Sequence, residues 1–344
     1  MKQIKTEDAV GHVLCHDITQ IVKGVTKDAA FRKGHVVREE DIPLLLSLGK
    51  DHLYIWEAGE NMVHEDDAAG ILYALCAGEH MRPSDVKEGK IEVIADCDGV
   101  VLVDTQKLRR INAAGEMMIA TRHSGMPVKR GDKLAGTRII PMVIQREKLE
   151  EAQGVGAGLP ILTLNPFTLK KVSIIATGNE IFYNRIPDTF TPVIEEKVTE
   201  FGAAVFEKAV LGDEPQAITA RILETISHGA DMVVCTGGMS VDPDDKTPLA
   251  IKRTGAEIVS YGAPVLPGAM FMLAYFINSE KNIPVLGLPG CVMYAKRTIF
   301  DLVLPRIMAG IPISSQDLAG LGHGGLCLSC DVCTYPNCGF GKGQ

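Results

Sequence analysis

The chain is poor in aromatic residues, 5% of the total with a single tryptophan, and it has no surplus of basic ones. Its 35 Lys and Arg stand against 43 Asp and Glu, a formal net charge of -8. That balance excludes a general nucleic-acid binder, which needs a basic face to displace the counterions of a phosphate backbone. It does not exclude a small anionic ligand, because backbone amides bind phosphate locally. No uninterrupted apolar run of about 18 residues occurs, so no segment is expected to span a bilayer. The N-terminal MKQIKTEDAVGHVLC lacks the apolar stretch of a secretory signal, and the expected location is the cytoplasm. Trp56 reads as a packing residue.

With 344 residues and 46% hydrophobic content, two or three domains with their own cores are expected. The first part, residues 1–165, reads as α+β and rich in β. Asp41 to Lys50 is a short helix, with Pro43 in its first turn and Gly49 to close it. HLYIW reads as a strand, and His64 to His80 as a helix. IEVIAD and GVVLVD are strands about the Cys97-Asp98-Gly99 turn, and Arg130-Gly131-Asp132 is a further turn before the strand RIIPMVI. REKLEEAQ is helical, and the following Gly154, Gly156, Gly158 and Pro160 mark a domain boundary.

Residues 171–312 alternate regularly. The apolar runs VSIIAT, AAVFEKAV, MVVCT, MFMLAYF and IPVLGL are strands. PVIEEKVTEF, PQAITARILETISH, TPLAIKRT and CVMYAKRTIFDLVLPRIM are helices. Strands separated by helices of this length make a doubly wound, mostly parallel α/β sheet, whose ligand lies off the carboxyl ends of the strands.

Four glycine-containing loops follow strand ends there: Thr177-Gly178-Asn179-Glu180, Thr236-Gly237-Gly238-Met239-Ser240, Val265-Leu266-Pro267-Gly268 and Leu288-Pro289-Gly290. Glycine allows positive φ and close backbone approach, which exposes amides to an anion. One such loop is an ordinary turn, whereas four on one sheet edge describe a binding edge. The helix beginning after Pro289-Gly290 would add free amides at the same edge. TGGMSVDPDDKTP places Asp242, Asp244 and Asp245 before a helix. Capping needs one side chain and three carboxylates repel one another, so Asp245 is assigned a ligand or metal role, with Asp242 and Asp244 binding cation or shaping the loop. Glu180 is a second candidate acid, equally suited to receiving backbone N–H groups. Lys246, Lys296 and Arg297 read as solvent-facing.

TGNEI, TGGMSVDPDDKTP, APVLPGAM and GLPGCVMYAKRTIFDLVLPRI resemble, in order and over roughly 140 residues, a family of molybdopterin molybdenumtransferases, molybdopterin adenylyltransferases and competence-damage-type proteins. AVGHVLCHDI and FRKGHVVREEDIPLLLSLG resemble the molybdenumtransferase branch. The resemblance implies that the Gly-Gly loop holds the pterin phosphate and that Asp245 is a functional carboxylate, with Thr247, Pro267, Gly268, Pro289 and Gly290 also matching. It further implies a homodimer that binds adenylated molybdopterin, Mg2+ and molybdate or tungstate, releases AMP, and hands its product to molybdo- or tungstoenzymes. The branch's Asp-Gly-Tyr/Phe-Ala segment is missing, Phe190-Thr191-Pro192 replaces its Asn-Ser, and only about 32 residues follow Ile311-Pro312, where the branch has a C-terminal β domain. Two other readings stay open: a non-catalytic carrier or sensor of the cofactor, and a competence-damage-type nucleotide pyrophosphatase.

Residues 313–344 form a tail with Cys327, Cys330, Cys333 and Cys338 inside twelve residues. Four soft ligands at this spacing suit zinc or an iron–sulfur cluster. The scattered Cys15, Cys76, Cys97, Cys235 and Cys291 read as small buried hydrophobes.

Overall fold

The computed structural model describes residues 2–22, 26–55, 61–240, 242–243, 245–278 and 281–343, so Trp56 and Asp244 lie outside the described residues. The chain divides into two compact units, Met1–Asp96 with Val103–Arg122 and Gly131–Thr163, and Cys97–Leu102 with His123–Arg130 and Leu164–Gln344.

In the first unit Lys90–Ala95 is the centre of an antiparallel sheet with Met81–Pro83 and Lys133–Ile139, and Met117–Thr121 extends it. The helix expected over His64 to His80 is Glu65–Cys76, because His64 stays extended as its N-cap and accepts from the Asp66 amide at 3.2 Å. Cys76 lies on its buried side, where desolvation pushes the thiol up to about 12. The helix expected over REKLEEAQ runs further, as Arg146–Gly156, and takes in Gly154 and Gly156. A Cβ on Gly156 would stand 2.6 Å from Leu75 Cδ2, so this glycine serves a close packing contact.

The second unit is a six-stranded sheet with helices on both faces. Its strands are β1 Lys171–Thr177, β2 Ala204–Leu211, β3 Met232–Thr236, β4 Glu257–Tyr261, β5 Met272–Ile277 and β6 Asn282–Leu288, in the spatial order β2-β1-β3-β6-β5-β4. β2, β1, β3 and β6 run parallel, while β5 is antiparallel to both β6 and β4. Beside a four-residue helical turn at Asn179–Phe182, the helices are α1 Phe190–Thr199, α2 Pro215–Ser227, α3 Thr247–Arg253, α4 Ile299–Met308 and α5 Ser315–Gly320. This is the doubly wound α/β architecture expected from the alternation of elements.

Strand side chains sort by period two. Val172, Ile174, Met232, Val234, Leu286 and Leu288 pack with Ile194 and Val198 of α1 and Phe300 and Val303 of α4. Ile175, Val233, Cys235 and Val285 pack on the other face with Ile218 and Ile222 of α2 and Ile251 of α3. Each such fully buried Val, Leu or Ile contributes about 1.5–3 kcal/mol relative to exposure. Cys235 acts as a hydrophobe, its thiol pushed up to about 12 by burial.

Two readings of this unit are corrected. β4 was not expected, since EIVSY is half-buried at the sheet edge and lacks a long apolar run. The expected single helix over CVMYAKRTIFDLVLPRIM is a 3-10 turn, Gly290–Met293, followed after a break by α4. Thr298 is extended there (φ -142°, ψ 180° to within a few degrees), and its amide donates to Asp301 Oδ2 at 2.8 Å in a capping box. The local cap overrides the helical periodicity, and the long helix does not start directly after Pro289-Gly290.

Candidate functional site

Strand register brings the predicted loops together. Ala176 pairs with Thr236 and Thr236 with Leu288, so β1, β3 and β6 end level with one another. The sheet order reverses between β1 and β3, where chain connections leave in opposite directions and open a crevice at the carboxyl ends. Thr177-Gly178 borders one side of it and Thr236-Gly237-Gly238 the other. Pro289-Gly290 follows β6, and the loop with Pro267-Gly268 returns to the same edge between β4 and β5.

At the crevice two threonines tie the loops. Thr247 Oγ1 donates to Gly237 O at 2.8 Å and lies 2.9 Å from Thr177 Oγ1, which in turn lies 3.2 Å from Thr236 O. Each hydroxyl has one hydrogen, so with Thr247 committed to Gly237, Thr177 donates to Thr247 or to Thr236. The Thr247 amide donates to Gly238 O at 3.2 Å. Both threonines are buried, and with these bonds the fully buried pair is internally satisfied. They are staples of the loop.

Gly237 cannot be replaced without moving this staple. Its φ is +87°, and a Cβ there would stand 1.9 Å from Thr177 O. Gly268, at φ +128°, approaches Ile299 in the same way, with a Cβ 2.3 Å from its Cγ2. Gly178 has φ +135°, and the Glu180 carboxylate folds back over it, 2.7 Å from where a Cβ would lie.

The Gly-Gly loop closes on Asp245. Its Oδ2 accepts from the Ser240 amide at 2.7 Å, and its own amide donates to Asp242 O at 3.0 Å. One carboxyl oxygen therefore shapes the loop, and Oδ1 has no partner among the described residues. Ser240 and Asp242 are exposed, so their side chains face solvent at the loop tip. Thr236 Oγ1 is buried without a hydrogen-bond partner among the described residues. Left dry, such a hydroxyl costs roughly 1–3 kcal/mol, and a polar ligand or water at the strand end relieves it.

Two contributors were missed by the sequence reading. Tyr261, at the end of β4, donates to Met239 O at 3.1 Å and fixes the Gly-Gly loop from the far side. Burial and the neighbouring Asp245 hold its phenol above the usual range. Asp213, just beyond β2, accepts from the Asn179 amide at 3.1 Å through Oδ2 and so holds the first loop. An aromatic ending an alternating EIVSY run was the available signal for Tyr261. Nothing local marks Asp213. The reading of Arg297 as solvent-facing is also corrected, since its guanidinium pairs with Asp301 at 2.8 Å and stacks 5.0 Å from the Tyr335 ring centroid.

The four tail cysteines are all free, with Cys330 and Cys333 exposed and Cys327 and Cys338 half-buried. Among the described residues no group of three or more His, Cys, Asp or Glu is assembled to hold a metal.

Residues 173–309 match the family model described as "Probable molybdopterin binding domain". The second unit carries the shared molybdopterin-binding domain. Residues 3–57 match a second model, described only as a domain of unknown function. A molybdopterin molybdenumtransferase of Synechococcus elongatus is 26% identical over 198 residues, covering 55% of this chain and 46% of that protein. A putative competence-damage inducible protein of Streptococcus pneumoniae is 25% identical over 190 residues, covering 45% of this chain and 44% of that one. The chain thus spans less than half the length of these curated relatives. Among solved structures, the tungsten cofactor synthesizing protein MoaB of Pyrococcus furiosus aligns at 20% identity and a TM-score of 0.35, covering 41% of this chain and 94% of that chain. Relatives of both the molybdenumtransferase type and the competence-damage type are thus similar to this chain. No helix among the described residues is long and apolar enough to cross a membrane.

Proposed function

We propose that the protein inserts molybdate or tungstate into adenylated molybdopterin and releases AMP. The observation that carries this reading is Asp245. Its Oδ2 is held by the Ser240 amide in the Gly-Gly loop at the switch point, and its second oxygen has no protein partner among the described residues. A polyanionic pterin phosphate needs amides and a cation beside it. The backbone amides of the Gly237-Gly238 turn would supply the first.

Mg2+ fits this donor set in its common protein mode, held by one or two carboxylates and completed by phosphate oxygens and water. Asp245 would hold it, with Asp242 or Glu180 as the further acid, and the bound ion would neutralise charge on the phosphate as AMP leaves. Gly178, Gly237, Gly238 and Ser240 would line the pterin-phosphate side, with the buried Thr177, Thr236 and Thr247 behind them, and Pro267, Gly268, Pro289 and Gly290 would close the edge. The acceptor of the metal is the pterin dithiolene, and the loaded cofactor passes on to a molybdo- or tungstoenzyme. The protein works as a cytoplasmic homodimer in this reading. The tail cysteines Cys327, Cys330, Cys333 and Cys338 bind zinc or an iron–sulfur cluster.

The test is molybdate-dependent release of AMP from adenylated molybdopterin by the purified protein and by its Asp245→Asn variant. Release by the native protein that falls at least about 100-fold in the variant supports insertion, on the scale expected when a key charge stabiliser is lost. Tight binding without release leaves a carrier or sensor. The similarity to the competence-damage inducible protein favours a second reading, hydrolysis of a dinucleotide pyrophosphate. Metal-dependent cleavage of such a dinucleotide, without binding of the pterin, would select it.

A further inference from the structure

The cysteine tail is tied to two of the four ligand loops. Leu326 forms a parallel bridge with Leu266. The Leu266 amide donates to Gly325 O at 2.8 Å, and the Cys327 amide donates to Leu266 O, also at 2.8 Å. Leu266 immediately precedes Pro267-Gly268. Further along, Lys296 Nζ donates to Asp331 O at 2.8 Å, joining the segment after Pro289-Gly290 to the chain between Cys330 and Cys333.

Both ends of the tail are anchored on the domain core. Phe340 is buried, Tyr335 donates its hydroxyl to Asp301 O at 3.0 Å, and a Cβ on Gly341 would stand 2.4 Å from Leu302 Cδ2. Cys327 and Cys338 pack against this core from its edge. The middle differs. From Leu328 to Cys333 the backbone makes no backbone–backbone hydrogen bond among the described residues. Leu326, Leu328 and Val332 are 63%, 78% and 77% exposed, so three large apolar side chains lie unpacked beside two exposed thiols. An anchored frame around an unpaired middle lets Cys330 and Cys333 move inward at little cost in broken backbone bonds.

We propose that Cys327, Cys330, Cys333 and Cys338 bind a soft divalent cation of the zinc class, and that its binding fixes the Leu266–Gly268 and Pro289–Gly290 loops for the ligand. The second half of this proposal rests on those loops holding a pterin phosphate. In the binding step four S–H bonds break, four metal–sulfur bonds form and the protons pass to solvent. The metal draws Cys330 and Cys333 toward the anchored pair. Because the Cys327 amide is bonded to Leu266 O, fixing its sulfur also fixes the backbone beside Pro267-Gly268.

The experiment uses the full chain, reduced and freed of metal, with Co2+ as a spectroscopic probe, Zn2+ as the diamagnetic metal, and molybdopterin as ligand. The Cys330→Ser/Cys333→Ser double variant runs beside it, with circular dichroism to show that it remains folded. The expected results are one equivalent of Co2+ with tetrahedral thiolate bands, slower hydrogen exchange at the Leu266 and Cys327 amides, and about tenfold tighter molybdopterin binding with Zn2+. The double variant loses all three effects and keeps the metal-free affinity of the native protein. Absence of thiolate bands overturns the metal site. Bands without a change in exchange or affinity overturn the coupling. If molybdopterin binds neither form while bands and exchange respond as expected, the functional reading fails and the metal-linked loop stands.

Discussion

Asp231 and Asp245 stand at opposite edges of the same sheet and do different work. At the amino edge, Asp231 accepts from the Lys170 and Lys171 amides, each at 3.0 Å, and from Lys281 Nζ at 3.1 Å. Burial alone would raise its pKa, but these three donors outweigh burial and hold it below the usual carboxylate range. At the carboxyl edge, Asp245 has one backbone donor and glycine loops on either side. A carboxylate saturated by protein donors is a clamp for the strands it joins. One left half-satisfied at a strand-end crevice has capacity for a ligand or cation.

This contrast is open to direct attack. Gly237→Ala should have the largest effect, since it combines a left-handed φ with a Cβ 1.9 Å from Thr177 O. A loss of about 2–5 kcal/mol in urea unfolding is expected. A loss below about 1 kcal/mol would mean that the loop relaxes freely. Asp231→Ala should cost about 2–3 kcal/mol of stability by leaving amides and a lysine unpaired. Ligand affinity, measured by calorimetry, should be unchanged, and a parallel loss of affinity would break the division between edges. Thr247→Val removes the donor to Gly237 O and should cost about 1–2 kcal/mol. Tyr261→Phe should lower ligand affinity several-fold while stability falls by only about 0.5–1.5 kcal/mol. Equal affinity in this variant would show that the Gly-Gly loop holds its shape without the phenol.

The smallest effect expected is one of pH. Hydrogen bonds from His228 above all, then from Thr225, hold Glu207 on β2 below the usual carboxylate range. A depressed folded pKa means that the stabilisation is present above the unfolded pKa and is lost as pH falls through the folded one. Native protein should therefore lose slightly more stability between pH 6 and pH 3 than Glu207→Gln, by well under about 1 kcal/mol for a half-buried pair at the sheet edge. Identical acid limbs in chemical denaturation would remove Glu207 from the account.

The sequence reading reached furthest where one physical rule acted alone. Continuous apolar runs marked β1, β3 and β6, and strand-end glycines marked the turns at their carboxyl ends, including Gly237 and Gly268, whose φ values lie in the left-handed region. It failed where rules competed. The Thr298–Asp301 cap broke a helix whose apolar period runs on without pause, and β4 hid in a half-polar edge strand. It also named Thr177 and Thr247 without seeing that they bond each other across 70 residues.

By itself, then, the sequence determined the alternation of strands and helices, the glycine loops and the cysteine spacing, because each depends on residues a few positions apart. Only the tertiary structure decided which oxygens meet. Register between strands distant in sequence joins Thr177 to Thr247 and seats Tyr261 on the Gly-Gly loop. The same long-range folding joins the tail to Leu266 through hydrogen bonds with no local signature. Such pairings follow from how whole faces pack, and a linear pattern carries the faces without their partners.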